Sequence, residues 1–372
     1  MLNGPYRSEG SYRGGGLAVL SESVKAPPPS RPAGARIGAL AVSHSEQMLT
    51  QEQVLERLGL AGQEFAERIF ARSGVRRRHL TLDEDFLAST LQGRAARTEQ
   101  ELLRHSVRAV EALALDPEEI GTVITASLYS LGVPTLAHRL VEHFDMDPTT
   151  DKYHLTGVGC ASGVPLMRLA AQTLHDHPDK HALVVAAESM SSLLTRATPQ
   201  DPRAKTVGAA IFGDGCAAAS LSMDPRSQGP TIIASQVHQI GGSQGAVCME
   251  VDGEDGYLHL ARELPDLAGA GLPGVVSGFL ARQKLAHADI DHWIVHPGGR
   301  RIIENVRDAL ELRDEDVAAS WAALADHGNI GTPSILYVLR DTIERCEPGR
   351  GERGLMVTIG PGVTVGLMLL GW

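Results

Sequence analysis

Three residues carry the chemistry this sequence is able to do. Cys160 sits in GVGCASG, between Gly159 and Ala161. A thiol at a glycine turn that feeds a helix faces unpaired N–H groups and the positive end of the helix dipole. Both favour the thiolate, and small neighbours leave room for an incoming acyl group. His296 follows the apolar run HWIV and precedes Pro297, Gly298 and Gly299, a strand end of the kind where α/β proteins place functional side chains. Asn329 lies in HGNIGT ahead of Pro333, where its amide is placed to donate to a developing oxyanion. Singly, each has a plainer role: a small buried hydrophobe, one of 15 histidines, a turn residue. Together they make an acyl-transfer set. The thiolate takes the acyl group, the imidazolium partners it, and imidazole and amide donate to the thioester oxygen.

The elements that must position these residues alternate in type. A first strand is expected at ARIGALAVSHS, with Ile37, Leu40 and Val42, and helical spacing of Val54, Leu58, Phe65 and Ile69 predicts one helix over 51–72. A second helix is expected over 98–114. IGTVITAS, ALVVAAES, TIIASQVH, HWIV and GLMVTIG read as apolar strands, and AAIFGDGCAAASLSM as a strand with a glycine turn. Helical patterns lie between them, one of them starting at Gly271. Such alternation predicts an α/β protein with helices packed on sheets. GVGCASGVPLMRLA and HGNIGTPSILYVLR both set a polar residue in a small-residue loop, then a proline, then an apolar helix, a faint echo of duplication. Residues 1–34, with GGG, PPP and many serines, read as a flexible tail.

Composition bounds the function. Of 372 residues, 43% are hydrophobic and 21% charged, which excludes a disordered chain. A net charge of −11 and only 4% aromatics argue against nucleic-acid or anionic-membrane partners. Cys160, Cys216, Cys248 and Cys346 form no CxxC pair, so neither a disulfide framework nor a zinc site is expected. The absence of a signal-like start or a long apolar run makes the cytoplasm the expected location. FGDG at 212–215 and GPG at 360–362 lack the frames of phosphate loops and read as backbone turns near a site. The basic run Arg72, Arg76, Arg77 and Arg78 reads as a solvated face, or as a dock for a phosphorylated carrier such as coenzyme A.

With these residues in view, the sequence resembles the type III polyketide synthases, the chalcone synthase-like family of the thiolase superfamily. GVGCASG resembles that family's nucleophile loop. FGDG, VHPGG at 295–299, HGNIG at 327–331 and GPGVTV at 360–365 follow in the family's order, over nearly the whole chain after the tail. FGDG and the Cys–His–Asn set are shared with other thiolase-fold condensing enzymes; HPGG followed by a late GPG is more specific to the type III group. The resemblance implies an α/β thiolase fold, five-layered αβαβα, with two duplicated halves and a homodimeric assembly. The halves would be 35–228, with the nucleophile, and 229–372, with His296 and Asn329. No metal and no organic cofactor are implied, and the partners are an acyl-CoA starter and malonyl-CoA. The starter moves to Cys160, malonyl-CoA loses carbon dioxide with its thioester oxygen held by His296 and Asn329, and the enolate attacks the Cys160 thioester. Repeated rounds and cyclisation release a pyrone or a phenolic ring.

Further residues carry over position by position. Phe212 matches a gatekeeper phenylalanine between the coenzyme A tunnel and the cavity, and the second gatekeeper position falls on Leu258 in GYLHLARELP, a departure that implies a differently shaped gate. Leu193 and Gly331 fall near positions that shape the starter and cyclisation pockets; an apolar Leu193 favours an aliphatic starter. Val133 would reach across the dimer. ASLYSLGVP departs from the family at Leu128, Tyr129 and Ser130. Arg72, Arg76, Arg77 and Arg78 lie where basic residues contact the coenzyme A phosphates. Three other readings compete. One is a single-step ketoacyl-synthase-like enzyme that takes chains from coenzyme A or acyl carrier protein. Another is a non-catalytic thiolase-fold scaffold. The third is a Cys-His-Asn hydrolase, whose usual second Cys and aromatic beside the nucleophile are missing here.

Overall fold

A computed structural model describes residues 34–130, 132–198, 201–252 and 255–372. The tail expected at 1–34 lies outside them but for Gly34. In chain order the strands are β1 (Arg36–Ser43), β2 (Met48–Thr50), β3 (Arg77–His79), β4 (Ile120–Ser127), β5 (Asp151–Thr156), β6 (His181–Ser189) and β7 (Asp214–Ser222). They continue with β8 (Thr231–Gln239), β9 (Val247–Asp252), β10 (Asp255–Leu260), β11 (His292–Val295), β12 (Arg353–Gly360) and β13 (Thr364–Gly371). Nine of them form one sheet in the order β11-β12-β13-β8-β1-β7-β6-β4-β5, while β2/β3 and β9/β10 are small separate pairs.

The large sheet is two sheets joined at a seam. β1 and β8 meet antiparallel through one register pair, Arg36 opposite Thr231. Outward from that seam, β1/β7 and β6/β7 are antiparallel and β4/β6 and β4/β5 parallel. On the other side β8/β13 and β12/β13 are antiparallel and β11/β12 parallel. The second succession repeats the first, short of one edge strand.

Strands β4, β6 and β7 are buried throughout but for His181 at the start of β6, which is why they read as unbroken apolar runs rather than as alternating ones. Their two-residue period still sorts side chains into layers. Ile124, Ala126, Val184 and Ala186 face one way and share a core with Ile294, Met356 and Met368 of the second sheet. Between the two sheets lie the helices Gly163–Thr173 and Ser334–Cys346, contributing Val164, Met167, Ile335 and Val338 to that core. Val123, Leu183 and Val185 face the other way, against helices Leu91–Glu111 and Leu136–His143. Val295, Leu355 and Leu367 likewise face helices Leu264–Arg282 and Arg300–Ala309. The stack is helix, sheet, helix pair, sheet, helix: the expected αβαβα.

Some boundaries differ from the expected ones. The helix over 51–72 is two, Gln51–Arg57 and Glu64–Arg72, because Gly59 and Gly62 turn between them with φ of +68° and +79°. The AAI ahead of FGDG ends a helix, Arg203–Ile211, and the strand starts only at Asp214. The helix expected from 98 begins at Leu91, capped by Thr90, whose hydroxyl accepts from Gly93 N–H. The helix expected from Gly271 begins at Leu264 and carries Pro273 inside it.

Candidate active site

Cys160 lies in a single tight turn, Gly159–Ser162, that runs directly into the first central helix. The GPG turn packs on it: a Cβ on Gly360 would come within 2.4 Å of the Ala161 nitrogen, so only glycine permits that approach. Asn329 lies at the matching end of the second central helix and is pinned on four sides. Its N–H donates to the Ile211 carbonyl at 2.7 Å, and its carbonyl accepts from Gly213 N–H at 3.2 Å, which zips it to the FGDG turn. Its Oδ1 accepts from Gly331 N–H at 2.9 Å, and its Nδ2 donates to the Gly298 carbonyl at 3.1 Å. That fixes the direction of the amide. The Cys160 thiol donates to the same Oδ1 at 3.7 Å. Among the described residues Nδ2 makes only the bond to Gly298, which leaves its second hydrogen unused.

His296 completes the cluster. It follows β11, and its N–H is held by the Val357 carbonyl at 2.9 Å. The ring is 1% exposed and lies against Gly298, where a Cβ would stand 3.3 Å from Nε2. Imidazole, Gly298, the Asn329 amide and the thiol thus form one run of contacts. Both ring nitrogens are buried without a hydrogen-bond partner among the described residues.

The electrostatics differ from the expected ion pair. Burial pushes the Cys160 thiol up to about 12, and the Glu188 carboxylate adds to that. Burial also pushes the His296 imidazole down to about 3. Burial thus favours the neutral form of each group. Desolvation outweighs the pull of the turn's N–H groups.

The sequence reading missed Glu188. It is 2% exposed, near the end of β6, and accepts from Leu128 N–H at 2.9 Å and from the Ser127 hydroxyl at 3.2 Å. Thr332 Oγ1 stands 3.1 Å from both Glu188 Oε1 and the Gly159 carbonyl, tying the carboxyl to the nucleophile turn. Burial raises its pKa to about 7. The available signal was a lone acid in the apolar run ALVVAAES.

Phe212, Leu258 and Leu193 are buried in one apolar cluster with Met190 and Leu194, and Leu128 packs against it. Leu128 also stands 3.3 Å from where a Gly159 Cβ would be, so this cluster borders the nucleophile turn. Gly331 has a φ of +65°, and a Cβ there would sit 3.1 Å from Glu188 Oε1. Val133 is 94% exposed in the single chain. Arg72 is exposed at a helix end, and Arg76 and Arg77 reach Asp326 Oδ1 at 3.1 and 3.0 Å. Arg78 corrects the expectation of a phosphate contact: it is 0% exposed, because β3 turns its side chain inward between the FGDG and HGN turns.

Comparison with known proteins decides the family. The FAE1/type III polyketide synthase-like family matches residues 39–291, and the C-terminal domain of chalcone and stilbene synthases matches residues 232–371. The chain belongs to the FAE1/type III polyketide synthase-like family. A 1,3,6,8-tetrahydroxynaphthalene synthase of Streptomyces peucetius subsp. caesius is 31% identical over 71% of this chain and 70% of that protein. An alpha-pyrone synthesis polyketide synthase-like protein of Mycobacterium tuberculosis is 30% identical over 71% of this chain and 68% of that protein. The fold matches that of PKS-I from the brown alga Ectocarpus siliculosus, with a TM-score of 0.81 over 91% of this chain and 98% of that one, at 24% identity. As a type III polyketide synthase the chain is an acyl-transferring enzyme, and iterative condensation is its reaction class. Among the described residues no helix of this synthase is long and apolar enough to cross a membrane.

Proposed function

We propose that this synthase condenses malonyl-CoA repeatedly onto an acyl starter held on Cys160 and releases the chain by cyclisation to a pyrone or phenolic product. The observation that carries the assignment is the convergence of a thiol, an unpartnered buried imidazole and a half-used amide in one contact run. As Cys160 Sγ attacks the starter thioester its proton passes to His296, and coenzyme A leaves as the thiol, taking that proton. Malonyl-CoA then breaks its C–CO₂ bond. The electron pair becomes an enolate whose oxygen is held by the remaining Asn329 hydrogen and by the His296 ring. The enolate carbon bonds to the thioester carbon and Cys160 departs as thiolate. A dry pocket matters because water would protonate the enolate or hydrolyse the thioester.

The apolar wall of Leu193, Met190, Leu194, Phe212 and Leu258 suits an aliphatic starter. Coenzyme A is the proposed donor, with acyl carrier protein the alternative. Arg72, exposed and without an ion pair among the described residues, is the proposed phosphate contact of the four arginines. A homodimer in the cytoplasm is proposed, supported by the exposure of Val133 in the single chain. The division at 228/229 is supported by the narrow β1/β8 seam. No metal or organic cofactor takes part in the proposed steps. Mass spectrometry of products from isotope-labelled malonyl-CoA, with acyl-CoA starters of graded length, tests this reading. Cyclic products carrying two or more labelled units are expected; a single extension with every starter would refute iteration.

A further inference from the structure

Of the basic run that the sequence offers to a phosphate, Arg78 alone is turned into the interior, against the Asn329 loop, while Arg72, Arg76 and Arg77 stay exposed. Three consecutive side chains of β3 lie beside residues 326–328, where the helix Ala318–His327 ends and that loop begins. Arg77 Nε donates to Asp326 Oδ1 at 3.0 Å. The His79 ring lies 6.2 Å from the His327 ring and within 20° of parallel to it. The Arg78 stem lies on Gly328, where a Cβ would come within 3.4 Å of Arg78 Cδ. The backbone joins in, with Arg76 N–H on the Ala325 carbonyl at 2.8 Å.

Arg78 also touches the loop that carries Phe212. A Cβ on Gly213 would stand 3.4 Å from Arg78 Cβ. Its Nη2 donates to the Ala209 carbonyl at 2.5 Å and to Gln51 Oε1 at 2.8 Å, and Gln51 in turn donates to the Ala210 carbonyl at 2.9 Å. Among the described residues Nε and Nη1 have no acceptor. Burial draws the guanidinium down to about 9, with only Asp214 opposing. The Asp214 carboxylate is already engaged by Thr81 N–H at 3.0 Å and Ser191 N–H at 2.8 Å. A buried charge with idle donors is a poor stabiliser, and an apolar side chain of similar length would fill the space without the desolvation penalty. Its contacts instead match the two turns that the chemistry depends on.

We propose that Arg78 is a positioning residue, a wedge between Gly213 and Gly328 that sets the Asn329 amide and the Phe212 ring relative to each other. The proposal rests on the reading of Asn329 as the donor to the enolate oxygen. Arg78 itself touches no substrate; it acts through the two loops.

The test is the decarboxylation of malonyl-CoA by full-length enzyme, with kcat and KM separated. Arg78→Met is expected to lower kcat by roughly tenfold to a hundredfold while KM stays within about threefold, as for a misplaced donor. Arg78→Lys, which keeps stem and charge, is expected to recover to within about threefold of the parent. In an Asn329→Ala background, Arg78→Met is expected to add less than about twofold, since both act on one group. Full additivity in that background would overturn the proposal, and so would a rise in KM with kcat unchanged, which would make Arg78 a coenzyme A contact. Should Arg78→Met not fold, Gln51→Ala releases the guanidinium from its side-chain acceptor and carries the test. A loss in kcat of about threefold to tenfold is then expected, and an unchanged kcat overturns the proposal. Asn329→Ala alone at the parental rate would defeat the reading of Asn329 and the wedge with it. The usual Asn329→Ala loss beside an unaffected Arg78→Met would defeat the wedge alone.

Discussion

The turns ahead of the two central helices occupy matching places and are built differently. The Cys160 turn is packed closely against the GPG turn, but its ties are side-chain hydroxyls: Thr332 Oγ1 is 3.1 Å from the Gly159 carbonyl and Thr358 Oγ1 3.4 Å from the Ala161 carbonyl, and Gly157 beside it has nothing within 4 Å of where a Cβ would be. The Asn329 turn is buried from Gly328 on and bonded to Ile211, Gly213, Gly298 and Gly331. The difference suits the roles proposed for Cys160 and Asn329. A nucleophile that accepts, carries and returns a growing chain needs reach. A donor that lowers the energy of an enolate needs a fixed aim, because preorganised dipoles are what make such a donor effective.

The sharpest way to break this comparison is to remove each side in turn. Cys160→Ala is expected to abolish acyl-enzyme and product while malonyl-CoA decarboxylation continues, checked by intact-mass measurement and carbon dioxide release. Product from that variant would end the nucleophile assignment. Asn329→Ala is expected to cut decarboxylation by about 10²–10³ and leave starter loading on Cys160 intact. Loading lost along with decarboxylation would mean that the two turns are not separate in function.

Next in size is the titration of the thiol. With Cys160 pushed up to about 12, its thiolate fraction is below half throughout the neutral range and grows with pH. Alkylation by iodoacetamide in the free enzyme is expected to quicken about tenfold per pH unit between 7 and 9. A rate already level above pH 6 would show a preformed thiolate–imidazolium pair. The smallest effect contrasts two glycines. Gly328 has φ +70°, and a Cβ would come within 2.5 Å of the Ile211 carbonyl, whereas Gly157, φ +74°, has open space. Gly328→Ala is expected to lose about 3 kcal/mol or more of stability and Gly157→Ala about 1 kcal/mol, read from urea midpoints. Equal losses would mean that the Asn329 turn is no tighter than its counterpart.

Much of this was legible in the sequence, for a physical reason. Strands covered on both faces must be continuous apolar runs, so ALVVAAES and GLMVTIG announce themselves. Cys160, His296 and Asn329 stand out because each sits at a glycine-flanked end of such an element. Arg78 did not. It belongs to a three-residue strand whose register, Arg78 opposite Leu49, turns one arginine of a surface-looking run into the core. Pairing with β2 settles that, and nothing local encodes it. Glu188 was hidden likewise, since its hydrogen bonds come from Ser127, Leu128 and Thr332, far away in the chain. The break at Gly59 and Gly62 was missed because the apolar spacing runs on through it, while the glycines take the positive φ that ends a helix.

The short seam at Arg36 and Thr231, crossed by two backbone hydrogen bonds, has a last consequence. So slight a stitch does little to hold the two sheets together, so the union lies in the paired helices that each sheet covers from its own side. Cut at the seam, either piece would expose a broad oily surface and need something of the same shape to lie against. A twin of itself would serve, which is the arrangement expected of a single-unit forebear before its two copies were fused into one chain.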